Sequence, residues 1–476
     1  MNTDSIIDNE PTKNETKEFQ IPHTFILLLI VGAIVAVLTH FIPAGEFVRI
    51  AAPGGRMMVD PSSYQIIEST PVGFMQFMVS IPKGFVEAGW IVALTFCVGG
   101  GFAVLRKTGV IEVSVNRVAA RFSERGIIIV PILMFTFSMI DTFIGMPELC
   151  MVYVPIILPL MLALGYDSIT ACAIALAGSA AGFTAALTNP FTVAIAQKIA
   201  GLPLYSGAMF RAGFLVALVT IGAVYVARYA KKIKNNPEAS DMYEEDLKNK
   251  EILLSGNTFQ TTMTKRQSYA GIAGIMLFFV LIGGVFTQGW DMPEIGAMFI
   301  LIGVVSGVIS GLSGNDICEG FVEGCRDVLV GALIIGVARS ITVIMADAQI
   351  IDTIVNTLGN MLGGLPEQIT ALGMLAVQSF MNFLIPSGSA KTLITMPIMA
   401  PLADIIGITR QTAILALQIG DGLSNILWPT SGYFMATLAV AKVPWIKWTK
   451  FYLPLFLIWT TVGAGALILA YMINWQ

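Results

Sequence analysis

Hydrophobic residues in this chain come in long runs separated by short polar punctuation, rather than in the one-sided stripes of surface helices or the alternation of half-buried strands. Seven runs have the roughly 20-residue length that carries a helix across a bilayer. They cover residues 24–42, 84–105, 208–228, 268–288, 293–312, 320–345 and 445–473. Two longer runs, 167–200 and 409–441, contain helix breakers and are predicted as broken helices. Two more, 127–164 and 367–403, read as paired apolar arms around a centre rich in Gly, Pro and Ser.

Composition supports that reading. Of the 476 residues, 55% are hydrophobic and 12% charged, where soluble domains carry about 25% charged residues. Mean hydropathy is +0.78. These values exclude a soluble enzyme, a nucleic-acid binder and a disordered chain, and predict a polytopic helical membrane protein. The net charge of −4 implies neither an acidic nor a basic partner. The cysteines Cys97, Cys150, Cys172, Cys318 and Cys325 sit singly in apolar segments and are expected as buried thiols. His23 and His40 flank the first run without a neighbour at metal-ligand spacing, so no metal site is expected. Polar residues precede that run and no small-residue cleavage pattern follows it, which predicts an uncleaved first helix.

Charge placement sets the topology. Arg106, Lys107, Arg117, Arg121 and Arg125 form one basic segment. The stretch from Arg228 to Arg266 forms a second, and Lys442, Lys447 and Lys450 a third. Placing all three in the cytoplasm puts the N-terminus inside and the C-terminus outside, with nine crossings. The parity then requires 127–164 and 367–403 to enter and leave on one side each, as re-entrant helical hairpins. The expected plan is a cytoplasmic tail (1–23), a first half (24–230) with a cytoplasmic-side hairpin and broken helix, and a charged cytoplasmic linker (231–266). A second half (267–476) follows, with an outer-side hairpin, the second broken helix and a last helix. Residues 51–80 are expected outside, ending in an interfacial helix.

The halves repeat. Gly84-Phe85-Val86-Glu87 recurs as Gly320-Phe321-Val322-Glu323, and a shift of 242 pairs Pro155 with Pro397, Pro159 with Pro401, Gly178 with Gly420 and Thr188 with Thr430. An odd number of crossings between the copies inverts one relative to the other. Inverted repeats place a substrate site at their interface near the midplane of secondary transporters.

Non-helical backbone survives in hydrocarbon only where it is buried or lines a wet cavity, and four places have that composition. They are the first tip (Gly145, Met146, Pro147, Glu148), the first break (Thr188, Asn189, Pro190), the second tip (Ser387, Gly388, Ser389, Lys391) and the second break (Thr430, Ser431, Gly432). Breaks expose helix N-termini that attract anions and C-terminal carbonyls that attract cations. Charges within a span are costly and mark functional suspects. Three readings of Glu148 and Lys391 stand side by side: Lys391 holds a substrate carboxylate and Glu148 a substrate ammonium, the two neutralise each other, or one of them faces solvent. Asp421 either carries a coupling H+ or Na+ or pairs with a basic group in the core. Asp141, two turns before Glu148, is a further coupling candidate, as are Asn189 and Thr430. Arg339, Asp347 and Glu112 read as interfacial or scaffold charges.

With these hairpins, breaks and tips the chain resembles the ion transporter superfamily, and within it the C4-dicarboxylate anaerobic carrier-like branch of YfcC-type membrane proteins. Ile21-Pro22-His23-Thr24, Phe41-Ile42-Pro43-Ala44-Gly45-Glu46-Phe47, Ile81-Pro82-Lys83-Gly84-Phe85 and Pro386-Ser387-Gly388-Ser389 carry the resemblance. It implies a homodimeric elevator-type secondary transporter of the bacterial inner membrane, all-α, with no cofactor beyond a coupling Na+ or H+. The better-known carboxylate carriers bear Ser-Asn-Thr at both tips, replaced here by Gly-Met-Pro-Glu and Pro-Ser-Gly-Ser. Members of the YfcC-like branch are often labelled basic amino-acid carriers or exchangers. An acidic tip facing a basic one suits a basic or zwitterionic amino acid, with a C4-dicarboxylate as the alternative substrate. An ion channel is the remote alternative, because hairpins ending at the midplane would block a pore. The chain carries no Ser/His or HExxH pattern of an intramembrane enzyme.

Overall fold

The computed structural model describes residues 24–51, 57–111, 113–114, 126–254, 263–364 and 366–476. The tail over 1–23 with His23, and also Glu112, Arg117, Arg121, Arg125 and linker residues 255–262, lie outside the described residues. Helices dominate, and among the described residues eight are long and apolar enough to cross a membrane.

The first helix, α1 (Thr24–Leu38), stops short of the expected boundary, where the Thr39 hydroxyl donates back to Ala36 O. Four short strands follow: β1 (Gly45–Glu46), β2 (Arg49–Ala51), β3 (Met57–Val59) and β4 (Gln65–Ile66). Strand β1 pairs antiparallel with β4, and β2 with β3. The single span expected over 84–105 is instead two helices, α2 (Phe74–Glu87) and α3 (Gly89–Lys107), parted at Ala88. Pro82 already removes one donor from α2, and a proline inside a helix weakens the turn before it.

Next come α4 (Ile129–Ile144) and α5 (Cys150–Ala163), the two expected arms. The chain reverses between them: Gly126 before α4 lies against Leu164 and Tyr166 after α5. The broken helix begins as α6 (Ser168–Ala185) and resumes as α7 (Val193–Ile199). Helix α6 runs parallel to α4, with Gly178 on Met134 and Gly182 on Ser138. The long α8 (Ala208–Asn235) leads into the linker helix α9 (Tyr243–Leu254). The linker is docked onto the first half. The Asp246 carboxylate accepts from the Ser168 N–H at 2.8 Å and from its hydroxyl, closing the head of α6.

The second half contains α10 (Lys265–Gln288), α11 (Met292–Ser310), α12 (Gly314–Asp347) and α13 (Ile351–Leu362). It continues with α14 (Glu367–Leu384), α15 (Gly388–Ile405), α16 (Arg410–Ser424), α17 (Gly432–Val440) and α18 (Trp445–Met472). Its arms repeat the geometry of the first half. Helix α14 is parallel to α16, with Gly420 on Gln378 and Asn382 Nδ2 donating to Ser424 Oγ at 2.9 Å.

The two copies run in opposite directions. Gly422 sits on Thr184 near the breaks, while Arg410 at the head of α16 donates to Ala200 O beyond the end of α7 (2.6 Å). Among the packing helices, Gly84 meets Ser340 and Gly320 meets Val104. These contacts exchange under one shift of the numbering, Gly84 to Gly320 and Val104 to Ser340, as a two-fold relation between inverted copies requires.

Several ion pairs sort to two ends. Asp327 lies 3.6 Å from both Arg106 and Lys442, and the linker acids Glu245 and Asp241 pair with Lys447 and Lys450. The basic segments that the structure describes therefore share one end. Lys83–Asp347 and Arg49–Asp352 pair at the other. Cys150 and Cys172 are buried as expected, whereas Cys318 is exposed on α12. All five cysteines are free.

Candidate functional site

Each tip and break owes its shape to a local rule. Helix α4 ends because Gly145 turns left-handed at φ 70°, and its N–H returns to Asp141 O. Any side chain at Gly145 would run into Asn189 of the first break, so the first tip rests on the first break. Asn189 in turn accepts at Oδ1 from the N–H groups of Phe191 (2.9 Å) and Thr192 (3.2 Å), which folds the backbone into a tight turn before α7. At the second tip Ser387 caps α15, its hydroxyl accepting from Ala390 N at 3.4 Å. Gly388 to Lys391 thus form the first turn of a helix rather than a loop. A Cβ at Gly388 would stand 2.6 Å from Asp421 Oδ2 and 2.9 Å from the Thr192 methyl. The second tip therefore rests on both broken helices.

Between these pieces lies a cavity of about 380 Å³. The first tip supplies Gly145, Met146, Pro147 and Glu148, and the second supplies Pro386, Ser387, Gly388 and Ser389. The breaks add Phe191 and Thr192 from the first copy and Asn425, Thr430 and Gly432 from the second. The opposite wall comes from α2, α3, α11 and α12, through Glu87, Ile91, Asp291 and Arg339. Arg339 Nε donates to Glu87 Oε2 at 3.0 Å. Asp291 is exposed and marks the mouth. Hydroxyls of Thr192 and Thr430 are buried with no hydrogen-bond partner among the described residues.

Several expected residues lie elsewhere. Lys391 does not face the cavity. Its ammonium is fully buried, 2.8 Å from Asp421 Oδ1, with Asn382 Oδ1 at 3.3 Å and Gln378 O at 3.4 Å. It therefore pairs with Asp421 rather than with Glu148. Asp421 is correspondingly the partner of Lys391, the pairing with a basic group that the sequence offered as one of its two readings. Asp141 is buried between α4 and α6, its Oδ2 bonded to the Ser179 hydroxyl and its Oδ1 unpartnered among the described residues. Thr188 and Asn189 shape the first break behind the cavity, where Thr188 N donates to Thr142 O at 3.2 Å, and Pro190 is exposed. Ser431 is buried beneath the second break, its hydroxyl unpartnered among the described residues.

Some wall residues were not singled out from the sequence. Arg339, read as a scaffold charge, does stand on a packing helix, but its side chain lines the cavity. Glu87 and Asp291 lie at run boundaries, where a charge is ordinary. Arg211 is different. It is fully buried in α8, and one of its guanidinium nitrogens lies 3.5 Å from Leu187 O in the first break. The rule that picked out Glu148 and Lys391, a charge inside an apolar run, would have found it. Among the described residues no group of three His, Cys, Asp or Glu side chains could hold a metal ion.

Comparison with known proteins bears on the chemistry of this cavity. The family profile for the C4-dicarboxylate anaerobic carriers matches residues 21–472. The chain is 30% identical to the Escherichia coli (strain K12) protein named "Putative basic amino acid antiporter YfcC", over 98% of this chain and 99% of that one. It is 31% identical to an uncharacterised Haemophilus influenzae protein, over 86% of this chain and 80% of the other. Among solved structures, Neisseria gonorrhoeae MtrF, of a class of antimetabolite efflux pumps, covers 96% of both chains at 17% identity and a TM-score of 0.41.

Proposed function

The chain belongs to the C4-dicarboxylate anaerobic carrier family, and on that premise we propose that it exchanges a basic amino acid across the bacterial inner membrane. It is a multi-pass membrane transporter and not an enzyme. One observation carries the choice of substrate. The cavity wall holds three carboxylates, Glu87, Glu148 and Asp291, against the single guanidinium of Arg339, which is itself paired with Glu87. A dianion entering that field would meet like charge, which disfavours it, whereas a cationic side chain would be drawn to Glu148 and Asp291. The substrate carboxylate has its own partner, the head of α15 with Ser387, Gly388 and Ser389, where free N–H groups and the helix dipole favour an anion.

Lipid-facing and packing helices (α1–α3 and α10–α12) would form a fixed scaffold and the homodimer contact. The hairpins and broken helices would move against it as the elevator. The positive-inside rule makes the end holding Arg106, Lys442 and the linker cytoplasmic. The mouth at Asp291 then faces outward, and the hairpins are re-entrant, one from each face. Asp141, a buried carboxylate with no cation beside it among the described residues, is the candidate for an exchangeable H+ or Na+. No further cofactor is needed. Thermal-shift screening of the purified protein with arginine, lysine, ornithine and succinate tests the reading. Stabilisation by the three basic amino acids is expected, and stabilisation by succinate alone would return the substrate to a C4-dicarboxylate.

A further inference from the structure

We propose that the Lys391 ammonium is a built-in cation: it occupies, from within the chain, a cation site formed by the second copy, so that no dissociable metal ion binds there during the cycle. The inference rests on the transporter reading and adds to it how one half of the molecule meets its need for positive charge.

The cage around the ammonium has the chemistry of a monovalent-cation site. Every partner is an oxygen: a carboxylate (Asp421), a side-chain amide (Asn382) and a backbone carbonyl (Gln378). Gln378 and Asn382 lie in the last two turns of α14, and Asp421 lies in the last turn of α16. Two helix C-termini, each carrying partial negative charge, thus converge on one point. Lys391 itself stands in the first turn of α15, the end of a helix that disfavours a cation. Its own helix therefore does not explain its position, and the cage does. A second observation points the same way. Asp421 Oδ2, the second oxygen of the caging carboxylate, is buried with no hydrogen-bond partner among the described residues, so the cage holds an oxygen that the ammonium does not use. Under the 242-residue shift the first copy has Leu149 in place of Lys391 and Ser179 in place of Asp421. The first copy keeps a carboxylate at the equivalent place, Asp141 bonded to the Ser179 hydroxyl, but has no lysine there.

A structural ion pair and an internal cation differ in one consequence: only the second leaves behind a site that takes up a free ion. The experiment compares native protein, Lys391→Ala, and the double variant Lys391→Ala with Asp421→Asn. Thermal stability is followed in NaCl, KCl or methylammonium chloride, with choline chloride holding ionic strength constant. Lys391→Ala is expected to melt lower in choline. It should then show a saturable Tm rise of about 3–5 °C once a small cation stands about a hundredfold above its Kd, larger than any rise in the native protein. The double variant should lack that response. Equal stability of Lys391→Ala in all salts overturns the proposal, as does a cation response of the double variant matching the single one. If Lys391→Ala fails to fold in every salt while the double variant folds, the pair is structural only and the proposal is likewise overturned. The readout involves no transport, so its failure leaves the substrate assignment untouched.

Discussion

Glu148 stands at the first tip, lining the cavity, across from a wall that carries Glu87 and Asp291. Replacing its charge while keeping its shape isolates its role. Glu148→Gln is expected to raise the KM for a basic amino acid roughly 10- to 100-fold, the loss of one charge-assisted hydrogen bond, with Tm unchanged. Uptake kinetics and a melting curve on the same preparation check both halves. Gly145→Ala should instead damage the fold. Its φ of 70° suits glycine, and the added methyl meets Asn189, so a loss of about 1–3 kcal/mol is expected, read as a lower melting temperature. The buried pair predicts a third pattern. Lys391→Met should cost about 3–5 kcal/mol by leaving the Asp421 carboxylate uncompensated, while removing both charges should be close to neutral. Denaturation of the single and double variants separates these outcomes. At this scale the sequence exposed the suspects but not their partners. A lysine within an apolar run is visible by its cost. That it faces Asp421 depends on how α15 packs against α16, which no local pattern encodes.

Helix interruptions were the most legible elements, because Pro and Gly act locally. The first tip turns at Gly145, the second at Pro386 and Ser387, and the breaks follow Ala186 and Ser424. Elements whose limits depend on neighbours were less so. Helices α2 and α3 part at Ala88 on the cavity wall, while the repeated Gly-Phe-Val-Glu of the second copy runs on unbroken through α12. The same four residues thus take two outcomes in two surroundings. The docked linker was hidden for the same reason, since Asp246 looks like any solvated acid until Ser168 is brought to it. If α17 slides along α12 during transport, the contact between Asp327 and Lys442 must come apart. Cysteines replacing both, in a background without the native five, are expected to cross-link. The cross-linked protein should lose uptake and regain it on reduction. Uptake that persists with the bridge fully formed would rule out sliding at this contact.

At the scale of the whole molecule, two antiparallel copies enclose one cavity, and their inversion is written into reciprocal contacts such as Gly84 with Ser340 and Gly320 with Val104. The repeat was readable because proline spacing survives where side-chain identity has drifted. The cavity was readable only in part, because its far wall comes from helices outside the repeated hairpins, and there Glu87, Asp291 and Arg339 shift the balance of charge. That balance is the centre of the account, and counterflow measures it most directly. Proteoliposomes loaded with unlabelled arginine are placed in radiolabelled arginine, and a parallel set is loaded with succinate and placed in labelled succinate. The account predicts saturable arginine-for-arginine exchange, weakened in Glu148→Gln, and no succinate exchange. Succinate counterflow with no exchange of arginine, lysine or ornithine would contradict it.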